Sequence, residues 1–128
     1  MVTATTNGIQ VSVEAHYQPF QSKPVSSKFV FSYTVTITNL REEKVQLLTR
    51  CWHIFDSGGD KRVVEGEGVV GKQPIIEPQQ HFQYASWCPL NTEIGKMHGT
   101  FYMYEAANED HFEVFVPEFS LIANFKEN

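Results

Sequence analysis

The sequence predicts an all-β fold, an antiparallel sandwich of about seven or eight strands. Three observations carry that expectation. Apolar and polar residues alternate with a period of two in one segment after another, and no stretch keeps a helical period. Aromatic residues reach 13%, with ten Phe and five Tyr, and such side chains suit a pleated, half-buried surface. Turn-forming clusters separate the alternating segments at the short intervals of a sandwich.

Taken in chain order, Ile9, Val11 and Val13 alternate with Gln10, Ser12 and Glu14, which makes a first strand. Residues 18–27 are polar and carry prolines, so they read as a loop. Residues 27–39 are the clearest strand. Phe29, Phe31, Tyr33, Val35 and Ile37 share one face, with Lys28, Ser32 and four threonine or valine positions opposite. Residues 39–43 turn the chain into a second strand, 44–56, and the two read as a hairpin. There Leu48, Arg50, Trp52 and Ile54 oppose Leu47, Thr49, Cys51, His53 and Phe55. Both faces are mixed, which predicts a central strand covered in places on both sides.

Ser57-Gly58-Gly59-Asp60 is a turn, and residues 61–68 return as a strand. Residues 68–78 wrap irregularly, with a short extended piece at Ile75-Ile76 between two prolines. Residues 80–86 present Phe82 and Tyr84 on one face. Residues 95–104 set Met97, Gly99, Phe101 and Met103 against His98, Thr100, Tyr102 and Tyr104. After a turn at 106–110, Phe112, Val114 and Val116 alternate up to Pro117. A buried Trp on a central strand suits an immunoglobulin-like or fibronectin type III-like sandwich, and Trp52 is placed for it. Cys51 adjoins Trp52 directly, which breaks the cysteine spacing of immunoglobulin domains and favours the fibronectin type.

At 128 residues the chain fits one domain, 1–128, with a core over about 9–121 and short tails. The formal charge is −5, and Lys61-Arg62 is the longest basic run. That balance argues against nucleic acid and anionic membranes as partners. The start has neither the basic n-region nor the apolar stretch of a signal peptide, and no run is long enough to span a bilayer, so a cytoplasmic protein is expected. Cys51 and Cys88 read as buried free thiols rather than a bridge.

Four stretches together resemble the ApaG family. They are LTRCWHIFD at 48–56, VEGEGVVGKQPII at 64–76, FQYAS at 82–86 and GKMHGTFYM at 95–103. The resemblance runs over about 9–121 and departs at one point, where the family turns with Pro-Gly and this chain has Pro78-Gln79. A turn with positive φ would cost Gln79 roughly 1 kcal/mol, so a change of turn type is expected there. The resemblance implies a fibronectin type III-like sandwich with no assigned catalytic residues. It implies an association, by name, with a neighbouring diadenosine tetraphosphate hydrolase, and by phenotype with cobalt and magnesium tolerance or efflux. It also implies use as a protein-binding module inside larger proteins.

The candidate binding residues are Gly66, Gly68, Gly71, Lys72, Gln73 and Arg50. The glycines form a G-x-G-x-x-G, but Pro74 forbids the helix that holds a pyrophosphate in a dinucleotide fold. A weak anion nest at 66–72 with Lys72 remains open, opposed by the charges of Glu65 and Glu67. The other reading gives the glycines to bends and close backbone approach. Arg50 is stacked on an aromatic, paired to a carboxylate, or aimed into a groove to read an acidic ligand.

His16, His53, His81, His98 and His111 are scattered, with His81 and His98 a conceivable cross-strand cluster. Glu65 and Glu67 share a strand face and offer at most a loose hold on a divalent cation. Cys51 and His53 lie two apart on a strand, which by itself makes no nucleophile, and a core position is expected for the cysteine. No catalytic residue, metal site or cofactor is assigned. The function expected is a non-enzymatic module that binds another protein, over the 66–78 wrap, Arg50 and the Tyr102/Tyr104 face. The alternative is a weak nucleotide, pyrophosphate or divalent-cation sensor. A monomer or weak homodimer through an edge strand is expected, and any metal-efflux role is indirect, because no segment spans a membrane.

Overall fold

The computed structural model describes residues 1–123, and among these lie nine strands and two single 3₁₀ turns. The strands are β1 (Val2–Thr6), β2 (Ile9–Tyr17), β3 (Phe29–Asn39), β4 (Val45–Asp56), β5 (Lys61–Glu67), β6 (Ile75–Ile76), β7 (His81–Leu90), β8 (Ile94–Glu105) and β9 (Asp110–Ile122). One sheet runs β1-β2-β3-β7 and the other β5-β4-β8-β9, with β6 added to β4. Every ladder is antiparallel. The chain is an antiparallel β-sandwich, as the alternation predicts.

The sheets lie face to face with β1 and β2 against β9. The edge strands β5 and β7 therefore share the opposite lateral side. Arg62 crosses from one to the other there, its Nη2 donating to Pro89 O at 2.6 Å. The predicted inward faces are the buried ones: Ile9, Val11 and Val13 on β2, Phe29 to Ile37 on β3, and Met97, Phe101 and Met103 on β8. Trp52 is the centre of this core. Its ring lies 5.4 Å from Tyr33, 6.1 Å from Phe101 and 6.0 Å from Phe119, edge to face, a geometry that adds to the burial term.

Four expectations change. β3 and β4 do not form the predicted hairpin: the 40–44 turn carries the chain from one sheet to the other, so β3 pairs with β2 and β7 and β4 with β5, β6 and β8. The mixed faces of β4 arise from a phase shift, not from cover on both sides. The register slips between Leu47 and Thr49, so Val45 and Leu47 point inward before the bulge, and Trp52 and Ile54 after it. One extra residue moves the apolar set from odd to even positions. The last strand does not stop before Pro117. It runs on to Ile122, with the irregularity opposite Met97 and Gly99, and Pro117 sits where the ladder needs no donor. The turn at Pro78-Gln79 keeps its type: Gln79 has φ 66°, and Gln80 N donates to Glu77 O at 3.0 Å. Gln79 N also donates to Asn39 O at 2.7 Å. The tertiary bond holds a left-handed conformation that costs a non-glycine residue about 1–2 kcal/mol.

No helix among the described residues is long and apolar enough to cross a membrane.

Candidate functional site

The site is built from Arg50 outward. Arg50 follows the β4 bulge by two residues and points between the sheets, on the face that carries Trp52. It pairs across the ladder with Gly66 of β5. A Cβ on Gly66 would lie 2.7 Å from Arg50 Nη1 and 3.2 Å from Cζ, so the first glycine of the motif leaves room for a guanidinium. Arg50 Nη1 donates to Glu67 O at 3.2 Å and to Gly68 O at 3.1 Å. The ion pairs among the described residues are His16–Glu14, Arg41–Glu105, Arg41–Asp110 and Lys96–Glu118. Arg50 therefore has no carboxylate partner there, and neither the stacked nor the ion-paired expectation describes it. It occupies the third position, a groove.

The second glycine has a different task. Gly68 has φ 64°, and a Cβ on it would stand 2.1 Å from the carbonyl oxygen of Lys72. Here two backbone segments touch. Val69 N donates to Lys72 O at 2.8 Å and Lys72 N to Val69 O at 2.9 Å, with Val70 at φ 44° and Gly71 at φ 77°. That is a two-residue hairpin turn with both central residues left-handed, a type I′ turn. Gly68 N donates to Leu48 O at 2.8 Å, and the Gln73 side chain reaches the same carbonyl at 2.8 Å. The bulge carbonyl of Leu48 thus anchors both ends of the turn. Of the backbone N–H groups from 68 to 72, those of Gly68, Val69 and Lys72 are spent on these bonds. A phosphate cradle needs consecutive free N–H groups, and only Val70 and Gly71 could offer them.

Behind the turn lies a hollow of about 260 Å³, lined by Arg50, Trp52, Tyr33, Tyr84, Ser86 and Val70 among others. A neighbouring hollow of about 170 Å³ shares Tyr33, Arg50, Trp52 and Ser86 and runs toward Val64 and Trp87. Tyr84 is buried, and its hydroxyl has no hydrogen-bond partner among the described protein groups. Burial pushes the Tyr84 phenol up, Tyr33 beside it adds to the shift, and the Arg50 charge opposes both. Burial likewise raises Tyr33, against a side-chain hydrogen bond from Ser86 and the same guanidinium. Both phenols are therefore neutral O–H donors at physiological pH. At the rim Val64, Val70 and Trp87 are 38%, 53% and 56% exposed. Val70 adds backbone strain to its exposure, since a β-branched residue is a poor occupant of the left-handed region.

Lys72 and Gln73 are exposed beside the turn. Tyr102 and Tyr104 lie on the outer face of β8, where Tyr104 packs on His111 at 4.5 Å. Tyr102 lines a separate hollow of about 380 Å³ with Thr49, Arg50, Cys51, Glu65, Gly66 and Glu67. Tyr104 lines neither this hollow nor the one behind the turn. Cys51 also lies on that outer face and is half-buried rather than in the core; Cys88 is buried, and both are free thiols. Cys51 Sγ is 3.7 Å from His53 Nε2 and 3.7 Å from Glu65 Oε1. Desolvation and the Glu65 charge push the Cys51 thiol up, the reverse of what a nucleophile needs. His81 and His98 belong to different sheets; His98 stacks on His53 at 4.9 Å instead. Among the described residues, no three His, Cys, Asp or Glu side chains converge as a metal set.

The reading of the sequence missed Tyr33, Tyr84 and Ser86 as pocket residues. Each was visible as an inward position on its strand, but their approach to Arg50 depends on how two sheets stack.

With this geometry in hand, comparison with known proteins places the chain among close relatives. Residues 19–105 match the ApaG domain. Protein ApaG of Brucella abortus (strain S19) is 46% identical over 123 residues, covering 94% of this chain and 92% of that protein. Protein ApaG of Methylobacterium radiotolerans is 46% identical over 121 residues, with the same coverage of 94% and 92%. The crystal structure of an ApaA protein from Bordetella pertussis superposes with a TM-score of 0.87 at 41% identity, covering 96% of this chain and 98% of that one.

Proposed function

The chain belongs to the ApaG domain family, and from that premise we propose that it is a non-catalytic binding module. Its sandwich, of the fibronectin type III-like kind, engages another protein along the lateral side between β5 and β7. The observation that carries this reading is Arg50, a guanidinium without a carboxylate partner among the described residues, held between the sheets behind a rim of exposed Val64, Val70 and Trp87. An apolar rim around an unneutralised cation suits recognition better than stability, since an unpaired charge near a core is costly. Both edge strands also leave backbone groups unpaired, which suits addition of a partner strand. The Tyr102/Tyr104 face lies outside this surface.

The alternative, nucleotide or pyrophosphate binding at 66–72, has less behind it. Most of the turn's N–H groups are engaged, and Glu65 and Glu67 flank the glycines. Any influence on cobalt or magnesium handling would run through the partner, in the cytoplasm.

The test is hydrogen exchange on the chain with a partner captured from its own cells. Protection is expected on β5, on β7 and over 68–76, and is lost with Arg50→Ala. Protection confined to the outer face around Tyr102 and His111, or unchanged capture by Arg50→Ala, would remove this surface.

A further inference from the structure

Two unmet groups face the hollow behind the Val69–Lys72 turn. The Tyr84 hydroxyl is buried without a partner, in a residue only 7% exposed. The Arg50 guanidinium spends Nη1 on the carbonyls of Glu67 and Gly68, and its Nε and Nη2 N–H groups have no acceptor among the described residues. Arg50 is half-buried, and of the two groups only the Tyr84 hydroxyl is fully buried. A buried donor left unmade is expensive, and a guanidinium and a hydroxyl around one hollow are matched by an oxyanion. We infer that this pocket binds one carboxylate group, held by the Arg50 guanidinium and the Tyr84 hydroxyl.

Charge selects carboxylate over phosphate. Among the described residues Arg50 is the only cation lining the hollow, and Glu67 lines it too. One guanidinium balances one negative charge. A phosphate dianion keeps a surplus charge and meets about twice the repulsion from Glu67. The rings of Trp52 and Tyr33 and the Val70 side chain then cover the carbon part of the ligand. This assignment rests on the β5/β7 side being the binding surface and names what that surface reads, an acidic group on the partner chain. A free organic acid shares the chemistry.

The test uses the full chain, isotope-labelled, with NMR read at the Arg50 side-chain N–H and the Tyr84 ring. The probes are benzoate, inorganic phosphate, a tetra-alanine peptide with a free C-terminal carboxylate and the same peptide as its amide. Saturable shifts with benzoate or the free peptide, and none with the amide, are expected. Tyr84→Phe weakens binding about tenfold, the loss of one hydrogen bond to a charged group, while its melting temperature rises by about 2–5 °C because the unmet hydroxyl is gone. Gly66→Ala keeps the charge but pushes the guanidinium aside, and binding falls in the same way. A peptide that binds more tightly than benzoate assigns the pocket to a partner chain; the reverse order assigns it to a free acid. The inference is overturned if phosphate binds more tightly than either, if Tyr84→Phe binds as the parent does, or if millimolar carboxylates leave both reporters unmoved. In that last case, hydrogen-exchange protection by a partner along β5 and β7 would still leave the binding surface standing, so the two failures are distinguishable.

Discussion

Replacing Asn39 by leucine lowers the stability of the chain by about 3 kcal/mol, the sum expected when buried donors and acceptors lose their partners. Asn39 is fully buried at the end of β3. Its Nδ2 donates to Glu43 O and to Ile76 O, both at 2.9 Å, and its Oδ1 accepts from Arg41 N at 2.8 Å. One side chain therefore ties the 40–44 turn to β6 and the end of the 68–76 wrap. Leucine keeps the branched outline but is bulkier and satisfies none of the three bonds, and Ile76, only 2% exposed, leaves its carbonyl no ready route to water. With a urea dependence of about 1–3 kcal/mol per molar, the unfolding midpoint falls by roughly 1–3 M. A loss below about 1 kcal/mol would mean that water satisfies these groups and that Asn39 does not hold the wrap.

Gly68→Ala is the second large effect, and its contrast with Gly71→Ala carries the meaning. At Gly68 the new methyl meets the Lys72 carbonyl oxygen at 2.1 Å and its carbon at 2.8 Å. The obstacle is backbone, so the Val69–Lys72 hairpin must open or shift. A cost of about 2–4 kcal/mol is expected, from the clash plus the left-handed φ. At Gly71, φ is 77° but nothing lies within 4 Å of an added Cβ, and only the conformational cost of about 1 kcal/mol applies. Urea unfolding of both variants checks this. Equal losses would mean that the close approach at Gly68 relaxes freely and that the two glycines serve turn geometry alone.

Much of the fold was legible. The inward faces of β2, β3, β7 and β8 follow from alternation, and Trp52 stands where its chemistry and its central strand put it. β1 was missed because its inward positions, Val2, Ala4 and Thr6, form a weak apolar face that is only half-buried. The signal was nonetheless present: Asn7-Gly8, with φ of 50° and 77°, is a dipeptide suited to a tight hairpin. The bulge at Leu48 was visible only as a confused β4, since a one-residue phase shift has no residue type of its own. Arg50 stood out as a charge on an apolar face. Its surroundings did not, because Tyr33 and Tyr84 come from the other sheet, and alternation says which face a residue takes but not what lies opposite. The glycine motif was the reverse case. Its pattern was plain, yet the three glycines answer to three physical demands: space for a guanidinium at Gly66, backbone contact at Gly68 and positive φ at Gly71.

The central claim is that this glycine segment shapes the Arg50 pocket rather than a phosphate cradle. Amide spectra of the labelled chain with pyrophosphate at millimolar concentration test it most directly, read at Val70 and Gly71, whose N–H groups are not spent within the turn. Unmoved Val70 and Gly71 amides are the predicted result. Saturable shifts confined to 68–72 would contradict it and return the segment to anion binding.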